Sequence, residues 1–302
     1  SSLAVQSNTA AINEIIVTAD YRKSNALDIS TSVSVVGSEI IERKNAHHLE
    51  EILLNVPNVN SSSGASRARF YQIRGIGERG QFSEPLNSSV GVIIDGIDFS
   101  GIGTAALLYD VEQVEVLLGP QGTRYGSNAL AGLINIASKS PSSSASYGLQ
   151  LENANYDSKG LSGYLSGPIS EKLRYRFSAQ NHSTDGFNNN QFLRKNTSYR
   201  DERIMRGQLE WSPSEHTQID VISSFIDIDN GYDAFSLDNK RDTLSDQPGA
   251  DRQKSKTVSA NLSFTQFENF KIETLLGYAN SKTDYGYDED WVFDGFHPWE
   301  YS

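Results

Sequence analysis

Residues 111–136 read VEQVEVLLGPQGTRYGSNALAGLINI. Two short apolar runs, at 114–118 and 133–136, predict β-strands because they are rich in β-branched side chains. Gly119-Pro120 ends the first strand, since proline has no N–H to donate to a ladder and glycine adopts backbone angles that other residues avoid. The chain is therefore expected to turn after Leu118 and to return as a second strand.

The order of residues in this string resembles the end of the plug domain of TonB-dependent outer-membrane receptors, whose pattern runs roughly IEVLRGPQGxLYGxNAxGGxINI. Five other segments follow in the family's order and approximate spacing, at residues 14–19, 34–40, 49–59, 73–75 and 93–97. One such match is weak evidence, whereas five in order across about 125 residues are hard to produce by chance. The resemblance implies an α+β plug domain followed by the antiparallel strands of a transmembrane β-barrel.

Composition agrees with a barrel and argues against an ordinary cytoplasmic enzyme. Apolar residues make up only 37% of the 302 residues, yet the chain has 14 Tyr, 13 Phe and 24 Gly. This mixture is typical of outer-membrane barrels, in which every second strand residue faces lipid and aromatic girdles mark both interfaces. The net charge is −12 with no basic stripe, so nucleic acid is not an expected partner. The chain has no cysteine, which excludes disulfides and thiolate metal sites.

Local patterns predict a helix and two turns within the first domain. Leu49, Ile52, Leu53 and Val56 are spaced as one face of a helix, which Pro57 ends. Asn58 follows, and asparagine is well suited to a left-handed turn. Asp95-Gly96 after an apolar run predicts a hairpin.

Three regions are expected along the chain. Residues 1–25 would form a periplasmic arm, residues 26–140 the plug domain, and residues 146–302 the N-terminal part of the β-barrel. The serine-rich stretch at 140–144 separates the last two regions, because apolar and polar residues alternate after it, most cleanly at 258–264. Short connections alternate with long polar ones at 184–200 and 229–252, as in outer-membrane barrels. We count about seven strands, and since a plugged barrel needs about 22 strands, the chain is expected to be part of a longer receptor.

The segment at 14–19 resembles the family's TonB box. Such a box would add as a strand to TonB, which works with the energising partners ExbB and ExbD. The alternative is an ordinary tail with some β-branched residues. The TonB-binding set is Glu14, Ile15, Ile16, Val17, Thr18 and Ala19.

The resemblance also implies a latch between plug and barrel. In the family, one arginine of the Ile-Arg-Gly motif and one of the Leu-Arg-Gly-Pro motif pair with barrel carboxylates. Arg74 fills the first position, but Leu118 stands at the second, and Arg124 is the candidate replacement. With half of the latch missing, attachment is expected to depend more on hydrogen bonds than on paired arginines. The alternative is that Arg74 is an ordinary surface residue.

Candidate ligand contacts lie on the plug segment that forms apical loops in the family: Phe70, Tyr71, Arg79, Gln81 and Phe82. His47 and His48 are interpreted as solvated, because neighbouring helical positions point about 100° apart, and no metal site is predicted from histidine spacing. The acidic run at 227–233 has a partial likeness to a calcium loop. A Ca²⁺ ion on an external loop is therefore kept as an alternative to a solvated acidic loop.

The resemblance implies active uptake across the outer membrane of a Gram-negative bacterium, with no enzymatic activity. An iron-siderophore or haem is the expected extracellular small-molecule ligand, and outer-membrane lipid surrounds the barrel. A carbohydrate, cobalamin or other nutrient is the alternative cargo. A receptor or scaffold that imports nothing, and a soluble β-rich hydrolase or lectin, are the alternatives of another class.

Overall fold

A computed structural model describes residues 16–17, 24–25, 31–80, 87–122, 127–238, 240–267 and 270–297. No helix among them is long and apolar enough to cross a membrane. The helices are Ser38–Arg43 (α1) and Glu50–Leu53 (α2), with a short 3-10 turn at Gly103–Ala105. Two strand pairs lie beside the main sheets: Ile16–Val17 (β1) with Ser24–Asn25 (β2), and Val59–Ser62 (β4) with Phe70–Ile73 (β5).

The first domain is built on a mixed five-stranded sheet. Its strands are Ser32–Gly37 (β3), Val90–Ile94 (β6), Ile97–Asp98 (β7), Val111–Leu118 (β8) and Gly132–Ser138 (β9), in the spatial order β3-β8-β9-β6-β7. The strands predicted at 114–118 and 133–136 are β8 and β9, which pair antiparallel. Gly119 has φ +117° at the turn between them, a value that favours glycine. We use "plug" for residues 31–138.

The two turns predicted inside the plug are confirmed, and the predicted helix is shorter than expected. Asp95 and Gly96 have φ values of +50° and +82° in the turn that joins β6 to β7. Asn58 has φ +64°, the left-handed conformation expected there. The predicted helix at 49–56 is shorter than expected, since only Glu50–Leu53 is helical, but the four side chains of its predicted apolar face, Leu49, Ile52, Leu53 and Val56, are all buried in the core.

The second sheet has seven antiparallel strands in sequence order. They are Ser146–Ala154 (β10), Ser158–Ser170 (β11), Leu173–Thr184 (β12), Arg200–Ser214 (β14), Thr217–Tyr232 (β15), Gly249–Phe267 (β17) and Phe270–Gly286 (β18). Two short strands in the connections, Asn189–Asn190 (β13) and Asp242–Thr243 (β16), pair in parallel. We use "wall" for the seven-stranded sheet. The wall is not closed on itself, because β10 and β18 are its two edges.

The two faces of the wall differ sharply, as the alternation predicts. On β14, Met205, Leu209 and Trp211 are 44–47% exposed on the face away from the plug, whereas Arg206 and Gln208 are at most 6% exposed on the other face. Three apolar residues of the wall join the plug core: Ile204, Ile226 and Ile228. The plug therefore packs against the inner face of the wall.

Candidate functional site: the contact between plug and wall

Arg67 lies at the centre of the contact. It precedes β5 in the plug and is 1% exposed. Its Nε and Nη2 donate to the two carboxylate oxygens of Glu202 on β14, at 2.8 and 2.7 Å. Its Nη1 donates to Glu50 at 2.8 Å and to Glu51 at 2.7 Å, both on α2. One guanidinium therefore joins a plug helix to a wall strand, and its bidentate hydrogen bonding to Glu202 fixes its orientation.

Charge pairing outweighs burial in this cluster. Burial opposes the charged form of Arg67, but the carboxylates of Glu202, Glu50 and Glu51 raise its pKa well above the usual value. Burial also favours the neutral form of Glu50, yet His48 and Arg67 together lower the pKa of Glu50. Both groups are therefore held ionised, as a buried ion pair requires if it is to offset its loss of hydration.

A second group of contacts adjoins Arg67. Arg69 pairs with Asp251 of β17, which is fully buried. The backbone N–H and the hydroxyl of Ser66 donate to the same carboxylate, at 3.0 and 2.7 Å. Asn230 of β15 donates to Ser66 Oγ at 2.9 Å and to Glu202 at 3.0 Å. The segment 66–69 is therefore bonded to three neighbouring wall strands.

Two arginines of the wall point the other way, into the plug. Arg176 of β12 donates from Nε to Asp110 at 2.7 Å. Arg206 of β14 has Nε 3.2 Å from Asp95, although this N–H is not aligned for a hydrogen bond, and its Nη1 donates to the backbone oxygen of Tyr109 at 3.1 Å. Asp95 and Asp110 both have positive φ, at +50° and +60°. Tight turns of the plug thus present these carboxylates to the wall.

Histidines and a carboxylate meet at another point of the contact. Nε2 of His47, in the plug, is 3.1 Å from Glu152 of β10, and Nε2 of His182 of β12 is 3.8 Å from the same carboxylate. The two imidazoles stack with their centroids 4.1 Å apart. The interpretation of His47 and His48 as solvated is therefore wrong, because the side chain of His47 is 13% exposed and that of His48 is fully buried. Sequence spacing could not predict this cluster, because its three residues come from three separate elements.

The residues predicted for the latch lie elsewhere. Arg74 is exposed at a positive φ of +54° and makes no ion pair with the described part of the wall. Leu118 packs against the plug core, and Arg124 lies outside the described residues. The expectation that attachment depends on hydrogen bonds rather than arginines is wrong, since Arg67, Arg69, Arg176 and Arg206 all pair across the contact.

The predicted ligand contacts divide into three groups. Phe70 and Tyr71 are 9% and 2% exposed on β5, and the Tyr71 hydroxyl donates to Ala68 O at 3.0 Å, so an external ligand does not reach them in this conformation. Arg79 is exposed. Gln81 and Phe82 lie outside the described residues.

The predicted TonB box is described only at Ile16 and Val17. They form β1, which pairs with β2, and Val17 is fully buried against Ile93, Leu117 and Leu133 of the plug. Glu14, Ile15, Thr18 and Ala19 lie outside the described residues.

The calcium-loop interpretation does not fit the structure. Asp227 and Asp229 lie within β15, where Asp229 accepts from Arg252 at 2.7 Å and Asp227 is 3.3 Å from Lys254. Asp233 accepts bonds from Asn190, Thr197 and Thr243 at 2.5–2.9 Å. Asp227 and Asp229 share one face of the strand but lie about 7 Å apart along it. Each carboxylate binds different side chains, and none of them is among the described residues whose ligand atoms converge on one point.

Comparison with known proteins gives the same architecture. The model of the TonB-dependent Receptor Plug Domain matches residues 25–133. The pesticin receptor of Yersinia pestis is 29% identical over 163 residues, which are 53% of this chain and 24% of that protein. The vitamin B12 transporter BtuB of Vibrio vulnificus is 27% identical over 183 residues, 59% of this chain and 29% of that protein. The crystal structure of the ferric yersiniabactin uptake receptor FyuA from Yersinia pestis superposes with a TM-score of 0.75 at 21% identity, covering 85% of this chain and 42% of that one.

A plug domain ion-paired to the inner face of an antiparallel wall is the fold of the plugged outer-membrane β-barrel receptors with which the chain superposes. The chain contains a TonB-dependent receptor plug domain at residues 25–133. It spans less than a third of the length of the two curated relatives described above. These relatives are receptors and transporters rather than enzymes.

Proposed function

We propose that the complete protein carries out TonB-dependent uptake of an iron-siderophore across the outer membrane. The observation that carries this proposal is the plug itself, fixed to the wall by buried ion pairs where it would block passage until it is moved. Relatives and structural neighbours named as siderophore receptors support iron as the cargo. The ligand would pass unchanged, so no catalytic group is required.

TonB is the proposed partner, energised by ExbB and ExbD. Strand β1 carries two residues of the predicted box, and TonB would bind it by strand addition, in which main-chain hydrogen bonds supply the affinity. Val17 is buried against the plug, so this strand must leave the plug surface before it can pair with TonB. Release of β1 is therefore the step at which ligand binding would be coupled to traction.

A cleft between plug and wall is the proposed path for the ligand. It has a volume of about 990 Å³ and lies near the short turns of the wall, which face the periplasm in this class of barrel. Its polar lining includes Asp95, Asn135, Gln208 and Asp220. Traction on the plug would widen this cleft, because Asp95 lines it and Arg206 of the wall lies 3.2 Å from that carboxylate.

Arg79 is the proposed plug contact for the ligand, since it is exposed beside the predicted apical segment. Its positive charge suits the anionic groups that many iron chelates carry. Arg79→Ala should weaken ligand binding, whereas Arg43→Ala, which removes an arginine that is 68% exposed on α1, should leave it unchanged. Equal binding by both variants would remove Arg79 from the site.

The function is tested in an iron-starved host that lacks its own siderophore receptors and expresses only this protein. Ferric hydroxamates, ferric catecholates and cobalamin are supplied separately, and accumulation of radioactive iron or cobalt is measured. The proposal expects receptor-dependent accumulation of at least one ferric siderophore. Accumulation of cobalamin alone would favour the alternative suggested by the similarity to the vitamin B12 transporter. Accumulation of neither would contradict iron uptake and favour a receptor that does not import.

A further inference from the structure

We propose that His47, Glu152 and His182 form a site for a divalent metal ion of the zinc class, which fastens the plug to the wall. The three residues come from the loop before α2, from β10 and from β12. One ligand atom from each lies within 4.8 Å of the others. Two imidazoles and one carboxylate are a ligand set that Zn²⁺ binds readily, with a fourth position left for water.

The distances are close to those that a metal ion requires. Ligand atoms about 2.0–2.1 Å from one tetrahedral ion are about 3.3 Å from each other. The separations from the Glu152 carboxylate are 3.1 Å to His47 and 3.8 Å to His182. The two imidazole rings are stacked, so rotation of the rings would bring all three ligand atoms, which already lie within 4.8 Å of one another, onto one ion.

The backbone places Glu152 and His182 in one row of the wall. Glu152 is paired with Gly160 on β11, and Gly160 is paired with His182 on β12. Gly160 leaves room for this arrangement, because a Cβ at that position would stand 3.0 Å from Cβ and 3.3 Å from Oε2 of Glu152. The carboxylate can therefore lie over the glycine and approach the imidazole two strands away.

His47 is held in place by its own backbone. Its N–H donates to Glu51 at 2.9 Å, and its carbonyl oxygen accepts from the N–H of Leu108 at 2.9 Å. Its side chain therefore projects toward the wall from a fixed position. The side chain of His182 is 8% exposed, and the Nδ1 atoms of both imidazoles are buried without a hydrogen-bond partner among the described residues. The Nε2 atoms, on the other side of each ring, are the ones that face the Glu152 carboxylate.

Metal binding at this site would stabilise the attached plug. The ligands come from both the plug and the wall, so an ion that binds all three favours the assembled state over any state in which the plug has moved. The inference goes beyond ligand uptake and does not depend on the identity of the cargo. It predicts that zinc slows opening of the plug.

The test uses the complete receptor, purified in detergent and stripped of metal with a chelator. Zn²⁺ binding is measured by calorimetry, and Co²⁺ is used as a probe whose visible absorption reports imidazole and carboxylate ligands. We expect one bound ion in the wild type, loss of that ion in His47→Ala and in His182→Ala, and weaker binding in Glu152→Gln. His216→Ala, in the turn between β14 and β15, is the matched control and should bind as the wild type does.

Hydrogen exchange of the wild type alone provides a second readout that does not depend on the folding of variants. Zn²⁺ should slow exchange in peptides that cover residues 44–50, and the same effect should be absent from peptides on the outer loops. Unchanged stoichiometry in both histidine variants, or unchanged exchange in residues 44–50 at saturating Zn²⁺, would overturn the proposal.

Discussion

At the residue scale, Arg67 shows what local sequence can and cannot reveal. Its three carboxylate partners lie 16, 17 and 135 residues away. The family resemblance predicts Arg74, seven positions later, because that residue lies in the Ile-Arg-Gly motif. Pairing over 135 residues depends on how the plug docks against the wall, and no short pattern encodes that docking. The alternation along β14 turns two acidic residues inward, Glu202 and Glu210, and this is the signal that could have indicated Glu202.

Removal of the Glu202 charge should loosen the plug. In Glu202→Gln, Arg67 keeps Glu50 and Glu51 but loses its partner on the wall, and breaking such a buried pair costs about 3 kcal/mol. Hydrogen exchange over residues 65–73 measures the loss as a lower free energy of opening. Asp201→Asn is the matched control, because Asp201 pairs with Arg203 at 2.8 Å on the same strand while both side chains are at least 35% exposed. Its effect should stay below about 1 kcal/mol. Equal effects of the two changes would show that the pair does not hold the plug.

Glu50 should make plug stability depend on pH. Its pKa in the folded protein is lowered by His48 and Arg67, in spite of burial, below the value of about 4.3 in an unfolded chain. The carboxylate therefore contributes stability above about pH 4.3, and this contribution is lost as the pH falls through the folded-state pKa. Thermal unfolding of wild type and Glu50→Gln should differ most near pH 7 and converge as the pH is lowered toward 3. A difference that stays constant across this range would contradict the assignment.

At the scale of elements, the strands of the wall were the most predictable part of the molecule. Period-two alternation identifies them because one face contacts the plug and the other faces outward. Boundaries were less predictable: β15 continues to Tyr232 and β17 begins at Gly249, so the connection expected at 229–252 is shorter than predicted. The acidic residues at its edges pair with Arg252 and Lys254 on the neighbouring strand, which extends the ladder.

A charged side chain on the outward face of β14 should reduce assembly of the protein in the outer membrane. Leu209 is 46% exposed on that face, so in Leu209→Lys an ammonium group must enter the hydrocarbon, at a cost of about 2–4 kcal/mol near the middle of the bilayer. The assembled fraction, measured as heat-modifiable protein in outer-membrane preparations, should fall. Gln208→Lys, on the inner face one residue away, places the same charge beside the polar cleft and should assemble more efficiently. The reverse order would show that the two faces have been assigned wrongly.

At the scale of the whole molecule, the sequence predicted the plug domain, the order of plug and strands, and the local turns at Asn58 and Asp95-Gly96. It did not establish the contact between the two parts. That contact combines the Arg67 cluster with arginines that reach from the wall to Asp95 and Asp110. Each of these pairs joins residues far apart in sequence, and only the assembled fold brings them together.

Traction on β1 is the proposed cause of plug movement, and energy-dependent uptake tests it most directly. The variants are Val17→Pro, which removes the backbone N–H needed for strand addition, and Val17→Ala, which keeps the N–H while shortening the buried side chain. With the ferric siderophore identified in the uptake experiment, we predict that Val17→Pro still binds ligand at the cell surface but accumulates no iron, whereas Val17→Ala accumulates iron. Normal accumulation by Val17→Pro would contradict the account.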